Sequence, residues 1–203
     1  MKKLPSTLTY MTVSLGVITI VAGALLAWVH EITAAPIAEA AQRKQVEAIR
    51  AVLPEFDNDP TSQKVTWTPM AGSEPFIIFP AYKGNTFAGA AVEGYSLNGF
   101  SGEVRIMYGF NAAGDITGYE VLSHAETPGL GAKMNEWFRT DMGRRSVIGK
   151  NPARTSMYVT KDPGGEIDAI TAATISSRAF LSTLRECYDA FVYYKTEKTV
   201  SNE

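Results

Sequence analysis

The sequence predicts an α+β fold, an antiparallel sheet covered by helices and preceded by one N-terminal transmembrane helix. Three patterns carry that expectation: an uncharged apolar run over residues 8–29, alternating apolar residues in paired runs over 76–122, and a helical apolar repeat over 180–191. The chain has 203 residues and 45% hydrophobic content, enough for one ordinary domain and a short appendage. The expected order is a cytoplasmic N-terminus at 1–7, the membrane helix at 8–29, a juxtamembrane amphipathic helix at 30–55 and an extracytoplasmic domain at 56–203.

At about 1.5 Å per residue, the run over 8–29 reaches roughly 33 Å, enough for a bilayer core. Thr9, Thr12, Ser14 and Thr19 do not forbid insertion, because hydroxyls can bond back to carbonyls of their own helix. Lys2 and Lys3 precede the run, whereas His30 and Glu31 follow it, so the positive-inside rule puts the N-terminus in the cytoplasm and the remaining chain outside. A cleavable signal peptide ending near Thr33-Ala-Ala35 competes, but signal cores run only about 7 to 15 residues, and the length favours a retained helix. Gly16, Gly23 and Ala27 share one face, where a second membrane helix could approach, although ordinary glycine usage explains them equally well.

Residues 37–53 read as an amphipathic helix on the membrane surface, with Val46, Ile49 and Leu53 on its apolar side and Pro54 as its stop. Residues 56–75 are rich in Asp, Asn, Pro, Thr and Ser and form a connection, with Val65-Thr-Trp67 as the one strand-like piece. Strands follow at 76–79, 81–83 and 86–95, with Gly84-Asn85 as a hairpin turn. Val104, Ile106, Tyr108 and Phe110 alternate with Arg105, Met107 and Gly109 before a turn at 111–115 and a strand at 116–122. One face of this sheet needs cover. The helix bearing Phe180, Leu184, Cys187, Tyr188 and Phe191 on one stripe supplies it, which makes Cys187 a core residue. A short helix at 134–139 precedes the Gly- and Pro-bearing loops at 143–152 and 162–165.

Composition narrows the chemistry. Nineteen basic and 21 acidic residues give a net charge of -2, without the basic footprint of a nucleic-acid binder. One cysteine excludes an internal disulfide, a CxxC pair and an iron–sulfur site held by this chain alone. His30 and His124 lie far apart without zinc-site spacing, so no protein-ligated metal is expected and redox chemistry would need an organic cofactor.

Two segments could bind one. His124-Ala-Glu-Thr-Pro-Gly-Leu-Gly131 follows a strand, and its proline and glycines would let backbone approach a planar ring, although composition alone fits a plain connecting turn better. Asp168-Ala-Ile-Thr-Ala-Ala-Thr174 sits where polar loop gives way to the last helix, with Asp168 or Thr171 as its expected cap. Free amides and the helix dipole there favour a phosphate, and the small Ala172 and Ala173 leave the Thr174 hydroxyl accessible. On physical grounds alone, hydroxyl residues beside a helix start are more often caps than attachment sites.

Together with the N-terminal span, these motifs resemble the FMN-binding domain family found in the G subunit of the Rnf electron-transport complex and the C subunit of the sodium-pumping NADH:quinone reductase. The resemblance covers nearly the whole chain, and the short length and the 29–39 segment look more like the Rnf protein. It implies covalent FMN as a phosphoester on Thr174, the last threonine of the family's Dxx[ST]GAT pattern, made outside the cytoplasm by a dedicated flavin transferase. It further implies flavin contacts from His124, Glu126, Thr127, Gly129, Leu130 and Gly131, and from Asp168, Thr171 and Ala173. Ala172 departs from the pattern, which usually has glycine there. The implied role is a single-pass inner-membrane redox subunit of an ion-translocating ferredoxin:NAD oxidoreductase, without independent catalytic activity and working among other membrane subunits. The competing readings are a free-standing extracytoplasmic flavoprotein and a non-redox membrane anchor or assembly module.

Overall fold

The computed structural model describes residues 7–69 and 73–200, which form two compact units, one reaching Arg43 and one beginning at Lys44. Lys2 and Lys3, on which the expected orientation rests, lie outside the described residues.

Helix α1 runs without interruption over Leu8–Val52. The two helical pieces expected on either side of residue 30 are thus one helix, and Pro36 lies inside it. A proline deletes one backbone hydrogen bond, and the Ala- and Glu-rich turns around it have the propensity to carry the helix through. Thr12 and Thr19 donate to the carbonyls of Leu8 and Leu15, at 2.7 and 3.0 Å, so their hydroxyls are satisfied within the helix. By length and composition this helix can cross a membrane.

The second unit is built on a five-stranded antiparallel meander in the order β1 (Val65–Trp67), β2 (Phe76–Lys83), β3 (Thr86–Gly99), β4 (Gly102–Asn111) and β5 (Ile116–His124). From β2 onward, short turns at 84–85, 100–101 and 112–115 join sequential strands, and each returns the chain beside the strand it has just left. Pro80 lies within β2, which joins the two strands expected at 76–79 and 81–83. Period-two alternation sends Ile78, Val92, Val104, Ile106, Tyr108 and Phe110 to one face, where α3 (Thr174–Val200) covers them with Phe180, Leu184, Cys187 and Phe191. Burial pushes the Cys187 thiol well above its ordinary value, in keeping with a core residue. Phe180 is the centre of this layer: it stacks on Phe138 at 4.2 Å and meets Tyr119 edge-on at 4.8 Å, while its carbonyl accepts the Tyr108 hydroxyl.

The other face is not left to solvent. Ala48, Ile49, Val52 and Leu53, at and just beyond the end of α1, pack on Phe79, Ala81, Ala91 and Met107. Val46 points outward, so the apolar stripe runs through Ala48 and Val52 instead. Gly109 makes the approach possible, because a side chain there would begin 2.0 Å from the Val52 carbonyl oxygen. A short helix α2 (Met134–Trp137), entered through a 3-10 turn at Gly131–Lys133, closes the end of the sheet beside the last helix.

Candidate functional site

Both sequence motifs meet at one cavity of about 300 Å³, lined by Phe100, Glu126, Thr127, Leu130, Gly131 and the 172–176 segment. The first wall descends from β5. His124 Nδ1 accepts the Glu126 amide at 3.1 Å, which turns the chain out of the strand, and Gly129 takes a φ of 77° to complete the turn over Thr127 and Leu130. The Leu130 amide then donates to the Thr127 carbonyl at 3.1 Å.

Glu126 is the polar centre of that wall. It is buried, and one carboxylate oxygen accepts the Ser176 hydroxyl at 2.6 Å while the other accepts the Ser101 amide at 3.2 Å. One side chain therefore joins the β3–β4 turn, the 126–131 loop and the first turn of α3. The space around it is full: a Cβ on Gly131 would lie 2.3 Å from Glu126 Oε2 and 2.5 Å from Ser176 Oγ.

The second wall is the start of α3. Asp168 and Thr171 do not cap this helix, because it begins at Thr174 and the intervening turn carries the chain away from them. Ala172 makes that turn with a φ of 61°, the left-handed conformation that usually belongs to glycine. Asp168 instead anchors a neighbouring loop. Its Oδ2 accepts the Arg144 amide at 3.0 Å, and its backbone carbonyl accepts Trp137 Nε1 at 2.9 Å. Ser177 ties the preceding loop to the helix from inside it, its hydroxyl accepting the Ile170 amide at 2.9 Å and donating to the Ala173 carbonyl.

Of the residues expected around a flavin, Glu126, Thr127, Leu130, Gly131, Ala173 and Thr174 line the cavity, whereas His124, Gly129, Asp168 and Thr171 are not part of its lining. Sequence reasoning missed Phe100, Ile175 and Ser176 as lining residues. Phe100 is 66% exposed at the tip of the β3–β4 turn, and its one signal in the sequence is an aromatic residue within the turn-forming run Gly99-Phe-Ser-Gly102. Ile175 and Leu130 add further exposed apolar surface at the rim. Flat apolar walls beside a hydroxyl at a helix start suit an aromatic ring system joined to a phosphate. Among the described residues, no group of three or more His, Cys, Asp or Glu side chains could hold a metal ion.

Similarity to known proteins agrees with this geometry. Residues 99–189 match the FMN-binding domain model, a stretch that begins at the end of β3 and includes every residue lining the cavity. Residues 1–52 match the RnfG N-terminal region, which ends on the last residue of α1. The G subunit of the ion-translocating oxidoreductase complex of Methanosarcina acetivorans is 33% identical over 193 residues, covering 90% of this chain and 93% of that protein. The chain belongs to this G-subunit family. Its relatives from Aliivibrio fischeri strain MJ11 and Yersinia pestis are each 31% identical, covering 95% and 85% of this chain and 93% and 83% of their own. The family likeness thus extends from the membrane-type helix through the cavity.

Proposed function

We propose that this protein carries FMN as a phosphoester on Thr174 and acts as a single-pass, membrane-anchored electron-transfer subunit of an ion-translocating oxidoreductase complex. The observation that carries the reading is the convergence of the 126–131 loop and Thr174 on one cavity. Leu130, Phe100 and Ile175 would hold the flavin ring by apolar contact, and the first-turn amides of α3 favour a phosphate on Thr174. Bound FMN supplies one- and two-electron transfer. The protein's part is to shape the ring site through Glu126 and to keep the Thr174 hydroxyl at the surface of the cavity. Thr127 and Gly131 bring backbone to the ring, with His124 and Gly129 holding that loop in shape, while Asp168, Thr171 and Ala173 shape the opposite wall.

Electron entry and exit, and any ion movement, belong to neighbouring membrane subunits, with ferredoxin and NAD as the terminal redox partners. Attachment requires a flavin transferase on the side of the membrane that the second unit faces, and we place that unit outside the cytoplasm. The test is a denaturing gel viewed for flavin fluorescence after co-expression with the transferase. Wild type is expected to give a fluorescent band at 22.0 kDa and Thr174→Ala a dark one. A fluorescent Thr174→Ala band overturns the acceptor assignment, and a dark wild-type band overturns covalent carriage.

A further inference from the structure

The loop between Val159 and Ile167 is folded onto the first turn of α3. A single β-bridge closes its ends, and Asp162 grips Arg178 of α3 with contacts of 2.6 to 3.2 Å. This grip sets the neighbouring residue, Lys161, so that its Nζ donates a 3.0 Å hydrogen bond to Thr174 Oγ1. Lys161 carries no part of the fold's core, being exposed, and lies outside both sequence motifs. An ammonium held on the one oxygen that is to become an ester oxygen has a chemical consequence.

We propose that Lys161 is the electrostatic partner of Thr174 in flavin attachment, stabilising the oxygen as it becomes nucleophilic and then the phosphodiester anion that results. The inference rests on the attachment reading above. A threonine hydroxyl does not displace hydroxide from a phosphate monoester, so the donor must be a flavin phosphoanhydride, of which FAD is the flavin dinucleotide form. Thr174 Oγ1 forms a bond to the FMN-side phosphorus, the anhydride P–O bond breaks, AMP leaves with the bonding pair, and the hydroxyl proton passes to solvent. No electrons are gained or lost. Negative charge develops beside Oγ1 throughout, and a cation hydrogen-bonded to that atom favours the transition state over the free hydroxyl.

The experiment uses the full chain in detergent, purified without flavin from cells lacking the transferase and then incubated with purified flavin transferase and FAD. Lys161→Gln is expected to lower the labelling rate about tenfold at saturating FAD, equivalent to about 1.4 kcal/mol, with the KM for the acceptor protein unchanged. Lys161→Arg keeps the charge and donor and is expected to restore most of the rate. Asp162→Asn, which loosens the grip on Arg178, should give a smaller loss. An unchanged rate in Lys161→Gln overturns the proposal. A rise in acceptor KM alone, or failure of arginine to rescue, also overturns it, since these mean transferase docking or simple structural damage. If wild type takes no label, or Thr174→Ala labels equally, the attachment reading fails first, and that result is distinct from a wild type that labels and a Lys161→Gln that matches it.

Discussion

The two walls of the cavity are held by opposite means. The wall built around Glu126 is buried and locked, one carboxylate bonding to a turn amide and a helix hydroxyl in a space where even a methyl on Gly131 would not fit. The wall built around Thr174 is partly exposed and held by charge at the surface, through Lys161 and the Asp162–Arg178 pair, with Ala172 kept in a left-handed turn. On the attachment reading proposed above, a site that receives a bulky group from another protein needs one side that keeps its shape and one that can be reached. On that proposal, the difference gives specificity to the first wall and accessibility to the second.

Perturbing the two walls separately sharpens this contrast. The largest effect is expected from Gly131→Ala, whose methyl must displace the Glu126–Ser176 bond, at a cost on the order of 1–3 kcal/mol in thermal or denaturant unfolding. Under the locked-wall account it should also broaden the flavin absorbance of the holoprotein. A variant that unfolds and absorbs like wild type would break the comparison. Glu126→Ala comes next, leaving the Ser101 amide and Ser176 hydroxyl without their acceptor, at roughly 1–3 kcal/mol, with Glu126→Gln milder because its amide oxygen can still accept one of them.

On the accessible wall the effects shrink and one reverses sign. Ala172→Gly relieves a left-handed alanine and is expected to stabilise the domain by about 1 kcal/mol, read as a rise in unfolding midpoint. A loss of stability would mean that the φ of 61° carries no strain. The smallest effect is on the charge pair. The hydrogen bond from Arg178 holds the Asp162 carboxyl below its ordinary value. Its contribution is therefore complete above the unfolded carboxyl pKa of about 3.9 and fades as the pH falls through the lowered folded value. Hydrogen-exchange protection at 158–167, after correction for the intrinsic pH dependence of amide exchange, should fall in that acid window in wild type and already be reduced at neutral pH in Asp162→Asn.

The sequence made different parts of this arrangement visible for identifiable reasons. Strand β4 was readable because Val104, Ile106, Tyr108 and Phe110 face the same helix, and that helix because Phe180, Leu184, Cys187 and Phe191 repeat at its pitch. Met107 sits in the same strand yet faces the end of α1, and alternation cannot say whether an outward apolar residue meets water or a second layer. The cap was misjudged because Asp168 and Thr171 have the right chemistry, but the turn at Ala172 starts the helix later, and backbone sign is not written in an alanine. Phe100 and Lys161 reach the cavity and Thr174 from distant stretches of chain, a juxtaposition that only the folded loops provide.

The packing of Ile49 and Val52 under Met107 bears on how this protein can be cut. A protease acting on the exposed stretch of α1 before Lys44 would release a fragment that keeps both faces of its sheet covered. A cut only ten residues or so further along, past Leu53, would uncover Phe79, Ala91 and Met107 together, and an apolar sheet face of that kind invites aggregation. The same few residues that end the long helix therefore decide whether the shed domain stays in solution.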